Sequence, residues 1–505
     1  MSISFNNIPS DVRTPLFYAE VDNSMANLAT STQTTLLIGQ MTEGKAEPLV
    51  PVLVTGDSQG KDLFGRGSEL ARMNTVYRKN DPAGQVWAIP LSDPEAATAA
   101  SGTYTLSGLP TLAGILSVYI GADRVQVAVG VDDAPADVAS AIASAINGKP
   151  DLPVTAEASA SEEDAEVEEG YVTVSAKNKG ANGNDIALGL NIQGYGAGEE
   201  TPEGLSVKIT AMAGGTGAPD FSTLEFSKIM GDDPYDFILM PYSDTVSLDY
   251  FKETMNDTSG RWAYDKQQYG HVYTCKRGSV NDLQKFGATR NDQHATIIGL
   301  EPDVPSLAIE VLSAYGAQNA AKLSIDPARP TQTLELIGIT SAPHGKRFTM
   351  SERQVLLTNG IATEYTESGY MRVERAITTY QKNRFGDEDN SYLDSETLHT
   401  LAYIIRALRS CITSKYPRHK LASDGTRFGA GQAVAPSIIR GELIAMYTKL
   451  EEKAIVENAD LFAKYLIVER NKDDPNRVDV LLPPDLVNQL RVFAVLAQFR
   501  LQFNE

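Results

Sequence analysis

The chain has 505 residues, with 44 Lys and Arg against 65 Asp and Glu and a net charge of −21. At roughly 150 residues per domain, this length predicts about three domains. Such an acidic chain repels phosphate, which argues against a protein that coats nucleic acid. The hydrophobic fraction of 42% supplies several cores and argues against disorder.

The acidity is uneven along the chain. Residues 351–505 carry 20 Lys and Arg against 21 Asp and Glu, whereas residues 96–220 carry 5 against 17, including a dense acidic run at 162–169. We therefore expect the segment 96–220 to face water. Two cysteines, Cys275 and Cys411, argue against a disulfide scaffold, and neither a signal peptide nor a membrane span is predicted.

The first two thirds of the chain predict an α/β domain that a β-rich insert interrupts. Residues 1–30 are typical of an extended arm with a short strand at 16–21. Strands are predicted at 34–39, 86–91, 236–240, 272–275, 296–300 and 334–339, and helices at 62–79, 246–256, 281–286 and 304–318. Between 96 and 218, Thr, Val and Gly runs predict strands at 116–120, 124–129, 171–175 and 205–211 around one helix at 135–146. Capping boxes are predicted at Ser222 with Glu225 and at Ser351 with Gln354.

The last third predicts an α+β domain and a terminal arm. Strands are predicted at 361–366, 371–380, 465–470 and 477–482, with amphipathic helices after Asp394 and over 439–450. The predicted domains are therefore an arm at 1–30, a discontinuous α/β domain at 31–95 and 219–348, an acidic β-rich insert at 96–218, an α+β domain at 349–484 and a strand arm at 485–505.

The terminal arm alternates apolar residues, from Phe493 to Phe503, with polar ones such as Gln498 and Gln502. This pattern predicts a long strand. Ordering the backbone of an isolated strand costs more than its own side chains recover, so the arm must add to the edge of a sheet in its own chain or in a neighbour.

The motifs of enzymes are weak or missing. Gly39, Gly44 and Lys45 have phosphate-loop spacing, but Ala46 offers no hydroxyl for magnesium and we expect a surface turn. The five histidines form no metal-binding motif, and no G-x-S-x-G elbow is present. A basic cluster with interleaved aromatics at 415–428 fits either a solvated loop or a contact with a carboxylate-bearing protein surface.

Four C-terminal segments, 372–381, 415–429, 466–471 and 474–488, and the N-terminal segment from Phe5 to Pro15 resemble the sheath proteins of contractile phage tails, in the Mu-like branch. The resemblance implies a subtilisin-like α/β domain with a β-rich insert, and a structural, non-enzymatic protein without cofactors or metals. It also implies assembly in the host cytoplasm as a homo-oligomer of stacked hexameric rings in the virion tail.

By the same resemblance, the partners are the tail tube, baseplate and tail terminator proteins, with neither nucleic acid nor membrane insertion, and the sheath contracts to drive the tube through the host envelope during genome ejection. The alternatives that stay open are a headless contractile particle or secretion apparatus and, remotely, a serine hydrolase. The arm residues that the resemblance places between subunits are Leu16, Phe17, Tyr18, Val21, Leu490, Val492, Phe493, Val495, Phe499, Leu501 and Phe503. Candidate contacts to the tube or to other subunits are Lys415, Arg418, Lys420, Arg427, Arg440, Lys449 and Lys453.

Overall fold

A computed structural model of the chain describes residues 33–161, 168–429, 431 and 433–500. The described residues divide into two compact units. The main unit comprises 33–402 and 486–500, and the hairpin unit comprises 403–485. The predicted arm at 1–30 lies outside the described residues.

Nineteen strands lie in the part of the chain that the structure describes. In chain order they are β1 (Thr34–Gln40), β2 (Val52–Val54), β3 (Gln85–Leu91), β4 (Ser101–Ser107), β5 (Gly114–Ile120), β6 (Asp123–Val129), β7 (Val154–Ala160), β8 (Glu169–Ala176), β9 (Leu188–Leu190), β10 (Ser206–Ala213), β11 (Phe237–Leu239), β12 (His271–Arg277), β13 (Ala295–Leu300), β14 (Thr363–Glu367), β15 (Tyr370–Arg375), β16 (Lys420–Leu421), β17 (Ala433–Val434), β18 (Ile467–Arg470) and β19 (Val478–Leu481).

The same residues form eleven α-helices, together with short 3₁₀ turns in the insert. The helices are α1 (Asp57–Phe64), α2 (Glu69–Asn80), α3 (Pro135–Asn147), α4 (Phe226–Met230), α5 (Thr245–Met255), α6 (Val280–Gly287), α7 (Ala308–Leu323), α8 (Met350–Thr358), α9 (Ser395–Lys415), α10 (Pro436–Glu452) and α11 (Ala459–Tyr465). None of them is long and apolar enough to cross a bilayer.

The main unit is built on a six-stranded sheet in the order β13-β12-β11-β1-β3-β2. All its pairs are parallel except β2 with β3. Its central strands are continuous apolar runs because helices cover both faces. In β1, Leu37 packs in the cluster that includes α2 and α7, whereas Leu36 and Ile38 pack in a second cluster with α4, α5 and α6.

The insert is antiparallel, with a four-stranded sheet in the order β10-β4-β8-β7 and a three-stranded sheet in the order β6-β5-β9. Thr98 and Thr216 exchange backbone hydrogen bonds of 3.1 and 3.2 Å, so the chain enters and leaves the insert side by side. Arg72 on α2 pairs with Asp123 of β6 at 2.6 Å and with Glu310 of α7. The insert is therefore tied to the α/β part by a charged contact as well as by shared core residues.

Most predicted strands and helices lie within a few residues of observed ones, and the exceptions have local causes. The predicted helix at 62–79 is two helices, because Gly65 and Gly67 adopt φ of 83° and 81°. The predicted strand at 334–339 is wrong. Turns at Thr333 and Gly338, with φ of 67° and 84°, leave a single bridge from Glu335 to Arg372.

Both predicted capping boxes are wrong in position. Glu225 has a left-handed φ of 48°, and α4 begins after it without a side-chain cap. Asp220 instead accepts the amide hydrogens of Ser222 and Thr223. Thr349 and Glu352 form the box that opens α8, two residues before the predicted one.

The boundaries of the two compact units differ from the predicted domain boundary at 348/349. Residues 349–402 belong to the main unit, and an isolated parallel bridge joins Ile298 of β13 to Ala362, directly before β14. The division between units falls within α9, after Ala402, and the terminal segment from Leu486 also belongs to the main unit. The predicted 349–484 domain stays a prediction.

Candidate assembly site

The C-terminal segment presents a row of unburied apolar side chains. Leu490, Val492, Phe493, Val495 and Phe499 are 70% to 86% exposed, and residues 487–500 have no strand or β-bridge assignment. Leu501 and Phe503, like Leu16, Phe17, Tyr18 and Val21, lie outside the described residues. An exposed apolar row of this length is a candidate surface for contact with another chain.

The start of this segment, by contrast, is held by hydrogen bonds to the main unit. The Gln489 side-chain amide donates to the carbonyl of Ala328 at 3.0 Å. One guanidinium nitrogen of Arg491 lies 2.9 Å from Glu396 and 3.3 Å from Asp394. Arg491 was not among the predicted site residues, because its carboxylate partners are about a hundred residues away in sequence.

The β18–β19 hairpin is the second exposed element. In this two-stranded antiparallel sheet of the hairpin unit, Ile467 pairs with Leu481 and Val468 with Val480. Ile467, Val480 and Leu481 are 50%, 44% and 60% exposed. Since two strands alone are marginally stable, the hairpin gains stability from any strand that adds to either open edge.

Part of the predicted basic set, all of which lies in the hairpin unit, makes an ion pair or hydrogen bonds within that unit. Lys415 pairs with Glu442 of α10, Lys453 lies 3.3 Å from the Tyr403 hydroxyl, and Arg440 donates to the carbonyl of Ala463. Lys449 is half-buried. Arg418, Lys420 and Arg427 are exposed around the β16 strand and are the members of the set best placed to meet a partner.

The residues that could have suggested an enzyme have structural roles. Lys45 is exposed and lies 3.3 Å from Asp62 across a surface turn, as expected. His399 is buried, stacks on Phe237 and shares a hydrogen bond with the Tyr273 hydroxyl. Burial raises the pKa of the Cys275 thiol, which donates to the Ala308 carbonyl at 3.1 Å. Across the described ranges, no cluster of His, Cys, Asp and Glu could hold a metal ion.

Two family models match the chain. The phage tail sheath protein central domain matches residues 214–379, and the phage tail sheath C-terminal domain matches residues 387–500. The Mu-like prophage FluMu tail sheath protein of Haemophilus influenzae is 39% identical over 504 residues, which cover 99% of this chain and 100% of that protein. The chain belongs to the phage tail sheath family.

A solved structure supports the fold alone. The sheath tail protein of Desulfitobacterium hafniense aligns with a TM-score of 0.50 at 11% identity, over 95% of this chain and 97% of that one. The shared fold is mixed α/β with several sheets, whereas the subtilisin-like description stays a prediction. Since the relatives are structural sheath proteins, membership implies a structural rather than an enzymatic role in the virion tail.

Proposed function

We propose that this sheath subunit polymerises in the host cytoplasm as stacked six-membered rings around the tail tube, and that the stack shortens to drive the tube through a cell envelope during genome ejection. Its partners in the tail are further copies of itself, the tube, the baseplate and the tail terminator. The observation that carries the assembly step is the exposed apolar row at 490–499, which follows an anchored start.

In this proposal the arm of one subunit adds as a strand to the hairpin of another. Main-chain hydrogen bonds from a donated strand have no preference for particular side chains, and apolar residues on one face provide burial. The odd-numbered residues Phe493, Val495 and Phe499 share one face of an extended arm, and Ile467 with Leu481 offers an apolar face on the hairpin. Both sides are exposed in the single chain, so their contact buries surface that is otherwise in water.

The mechanism needs links that survive a large rearrangement. A donated strand stays paired while the rigid units it connects rotate, because the residues between the strand and its unit absorb the rotation. The driving free energy then comes from surface newly buried between subunits, and no nucleotide is required. The absence of a complete phosphate loop at Lys45 agrees with this mechanism.

The exposed cations Arg418, Lys420 and Arg427 are the proposed contact with an acidic surface of the tube. Their pairing with carboxylates of a partner would fix orientation more than it would add affinity. Within the hairpin unit, Arg440 and Lys415 already have internal acceptors, which makes them poorer candidates.

Strand donation is tested by ending the chain after Val492, which removes the exposed arm and keeps its anchored start. Negative-stain microscopy of the purified protein should show long hollow polymers for the full chain and none for the truncated one. A full-length variant with Phe493→Ser, Val495→Ser and Phe499→Ser should fail in the same way, because only the apolar face of the arm is changed.

The matched control is Gln498→Ser with Gln502→Ser, which alters two polar residues at even-numbered positions of the arm. It should polymerise like the unmodified chain. Normal polymers from the truncated chain would show that residues 493–505 donate no essential strand, and the proposal would then have to be abandoned.

A further inference from the structure

In the C-terminal segment, the side chain of Arg491 is buried although its neighbours on both sides are exposed, and Leu490 before it is 70% exposed. The side chain of Arg491 is 9% exposed, whereas Val492 and Phe493 are 78% and 83% exposed. Residues 486–491 lie against the main unit, and the side chain of Gln332 reaches both the Leu490 carbonyl and the Arg491 guanidinium at 3.5 Å. The part of the arm that lies beyond the Arg491 ion pairs therefore begins at Val492.

Arg491 completes a cluster of two carboxylates and two guanidinium groups, whose side chains range from 0% exposed at Glu396 to 27% exposed at Arg375. Glu396, whose side chain is 0% exposed, accepts hydrogen bonds from the amide and hydroxyl of Thr331 at 3.0 and 2.8 Å. Asp394 accepts two hydrogen bonds from Arg375, at 2.8 and 2.9 Å. With Arg491 in place the four charges balance, and without it Glu396 is a buried anion that lacks its cation.

We propose that Arg491 is a positioning residue, and that its ion pairs with Glu396 and Asp394 clamp the root of the arm and so set the reach of the strand that is donated to the next subunit. This inference rests on the proposed strand donation. Removing one partner of a buried ion pair is strongly destabilising, because the other charge remains desolvated. The clamp is therefore strong enough to hold a segment that contributes few apolar contacts of its own.

The clamp matters because it shortens the tether. Residues 493–505 can span about 45 Å when extended, whereas release of the root would free residues 486–505 and allow about 70 Å. A longer tether lowers the effective concentration of the strand at the acceptor edge and admits several acceptor positions. A clamped arm reaches one neighbour in one register.

Three variants of the full chain separate positioning from folding. Arg491→Leu removes the clamp, Arg491→Lys keeps a cation near the two carboxylates, and a short Gly-Ser insertion after Val492 lengthens the arm while leaving the clamp intact. Arg329→Gln is the matched control, since Arg329 is an exposed arginine of the same unit. The measurements are the rates of proteinase K cleavage within residues 486–491 of unassembled subunits, from mass spectrometry, and the polymer yield by microscopy.

In Arg491→Leu, cleavage within 486–491 should accelerate at least about tenfold, because proteolysis follows the population of the released root. The insertion variant should keep the root protected. Arg491→Leu and the insertion variant should each lower the polymer yield at fixed subunit concentration by about tenfold. The polymer yield of Arg491→Lys should lie between theirs and that of the unmodified chain. The yield of Arg329→Gln should match that of the unmodified chain.

Two results would overturn the clamp: a root that stays protected in Arg491→Leu, or normal polymer yield from the insertion variant. If urea titrations show that Arg491→Leu is globally unfolded, the proposal is tested by Arg491→Lys and by the insertion variant. The chain that ends at Val492 distinguishes the two proposals. If the truncated chain forms normal polymers, strand donation is rejected. If the truncated chain fails to polymerise while Arg491→Leu polymerises normally, only the clamp is rejected.

Discussion

At the scale of single residues, burial and charge conflict most directly at Glu364. Glu364 on β14 and Glu301 after β13 are 2% and 4% exposed. Glu301 accepts the Phe348 amide at 3.0 Å, while both oxygens of Glu364 lack a hydrogen-bond donor of their own. Burial, followed by the adjacent Glu301, raises the pKa of Glu364 well above its ordinary value, and Arg353 offsets this only in part.

The raised pKa makes the stability of the main unit depend on pH. Between the ordinary glutamate pKa and the raised one, the folded state holds a proton that the unfolded state has released, so the free energy of unfolding falls as the pH rises. Glu364→Gln removes this dependence. From pH 5 to pH 8, urea titrations should show the free energy of unfolding of the variant rising relative to that of the unmodified chain by up to about 1.4 kcal/mol per pH unit.

The control for this prediction is Glu388→Gln, an exposed carboxyl of the same unit. The difference in free energy of unfolding between this variant and the unmodified chain should stay constant over the same pH range. A constant difference for Glu364→Gln as well would mean that Glu364 is ionised in the folded protein at pH 5.

At the scale of elements, the hydrogen-bond alternation of the β18–β19 hairpin defines which amides are available to a donated strand. Asn471 donates to the Arg477 carbonyl at 2.9 Å, which makes this a hydrogen-bonded pair. Such pairs alternate with non-bonded ones along an antiparallel ladder. The amides of Val468 and Val480, which pair with each other, therefore point away from the hairpin toward its open edges.

Proline at these two positions should block strand addition without breaking the hairpin, because proline is tolerated where the missing N–H faces outward. We expect whichever of Val480→Pro and Val468→Pro lies on the acceptor edge to reduce polymer yield in negative-stain micrographs. Val480→Thr keeps both the amide and the β-branched shape, and it should polymerise normally. Unchanged polymers from both proline variants would place the acceptor edge elsewhere.

At the scale of the whole molecule, the charge distribution predicts which part of the subunit faces water in the polymer. In sequence, the acidic run at 162–169 lies between β7 and the start of β8, and β7 is the last strand of its sheet. Side chains along the second half of β7 are exposed. A surface this acidic pays a large desolvation penalty if it is buried between subunits.

Insertion of a small folded domain between Glu163 and Asp164 should therefore leave polymerisation unchanged, and the added mass should decorate the outside of the tube in electron micrographs. The same domain inserted in the hairpin turn, between Asp473 and Asp474, serves as the comparison and should block assembly. Loss of polymers with the insertion at 163/164 would indicate that the insert is buried between subunits.

The sequence by itself determined the elements whose signals are local. Short, largely apolar runs predicted β1, β12 and β13, because a parallel strand that is covered on both faces buries most of its side chains. The alternation in the terminal arm predicted a segment that cannot fold alone, and segments near both ends carried the family resemblance that the comparisons confirm. The failed predictions, at 334–339 and at the capping boxes, concern short segments where one turn residue outweighs the pattern.

Tertiary structure alone decided the contacts between residues far apart in the chain. Arg491 meets Glu396 across a separation of 95 residues, and Glu364 meets Glu301 because the bridge between Ile298 and Ala362 brings the start of β14 beside the end of β13. No spacing rule connects such pairs, since charged residues are common in the sequence and only the fold removes a few of them from water. The described residues divide into two compact units, and the segment 349–402 adds core residues to the first, whereas the domain count expected from the length stays a prediction.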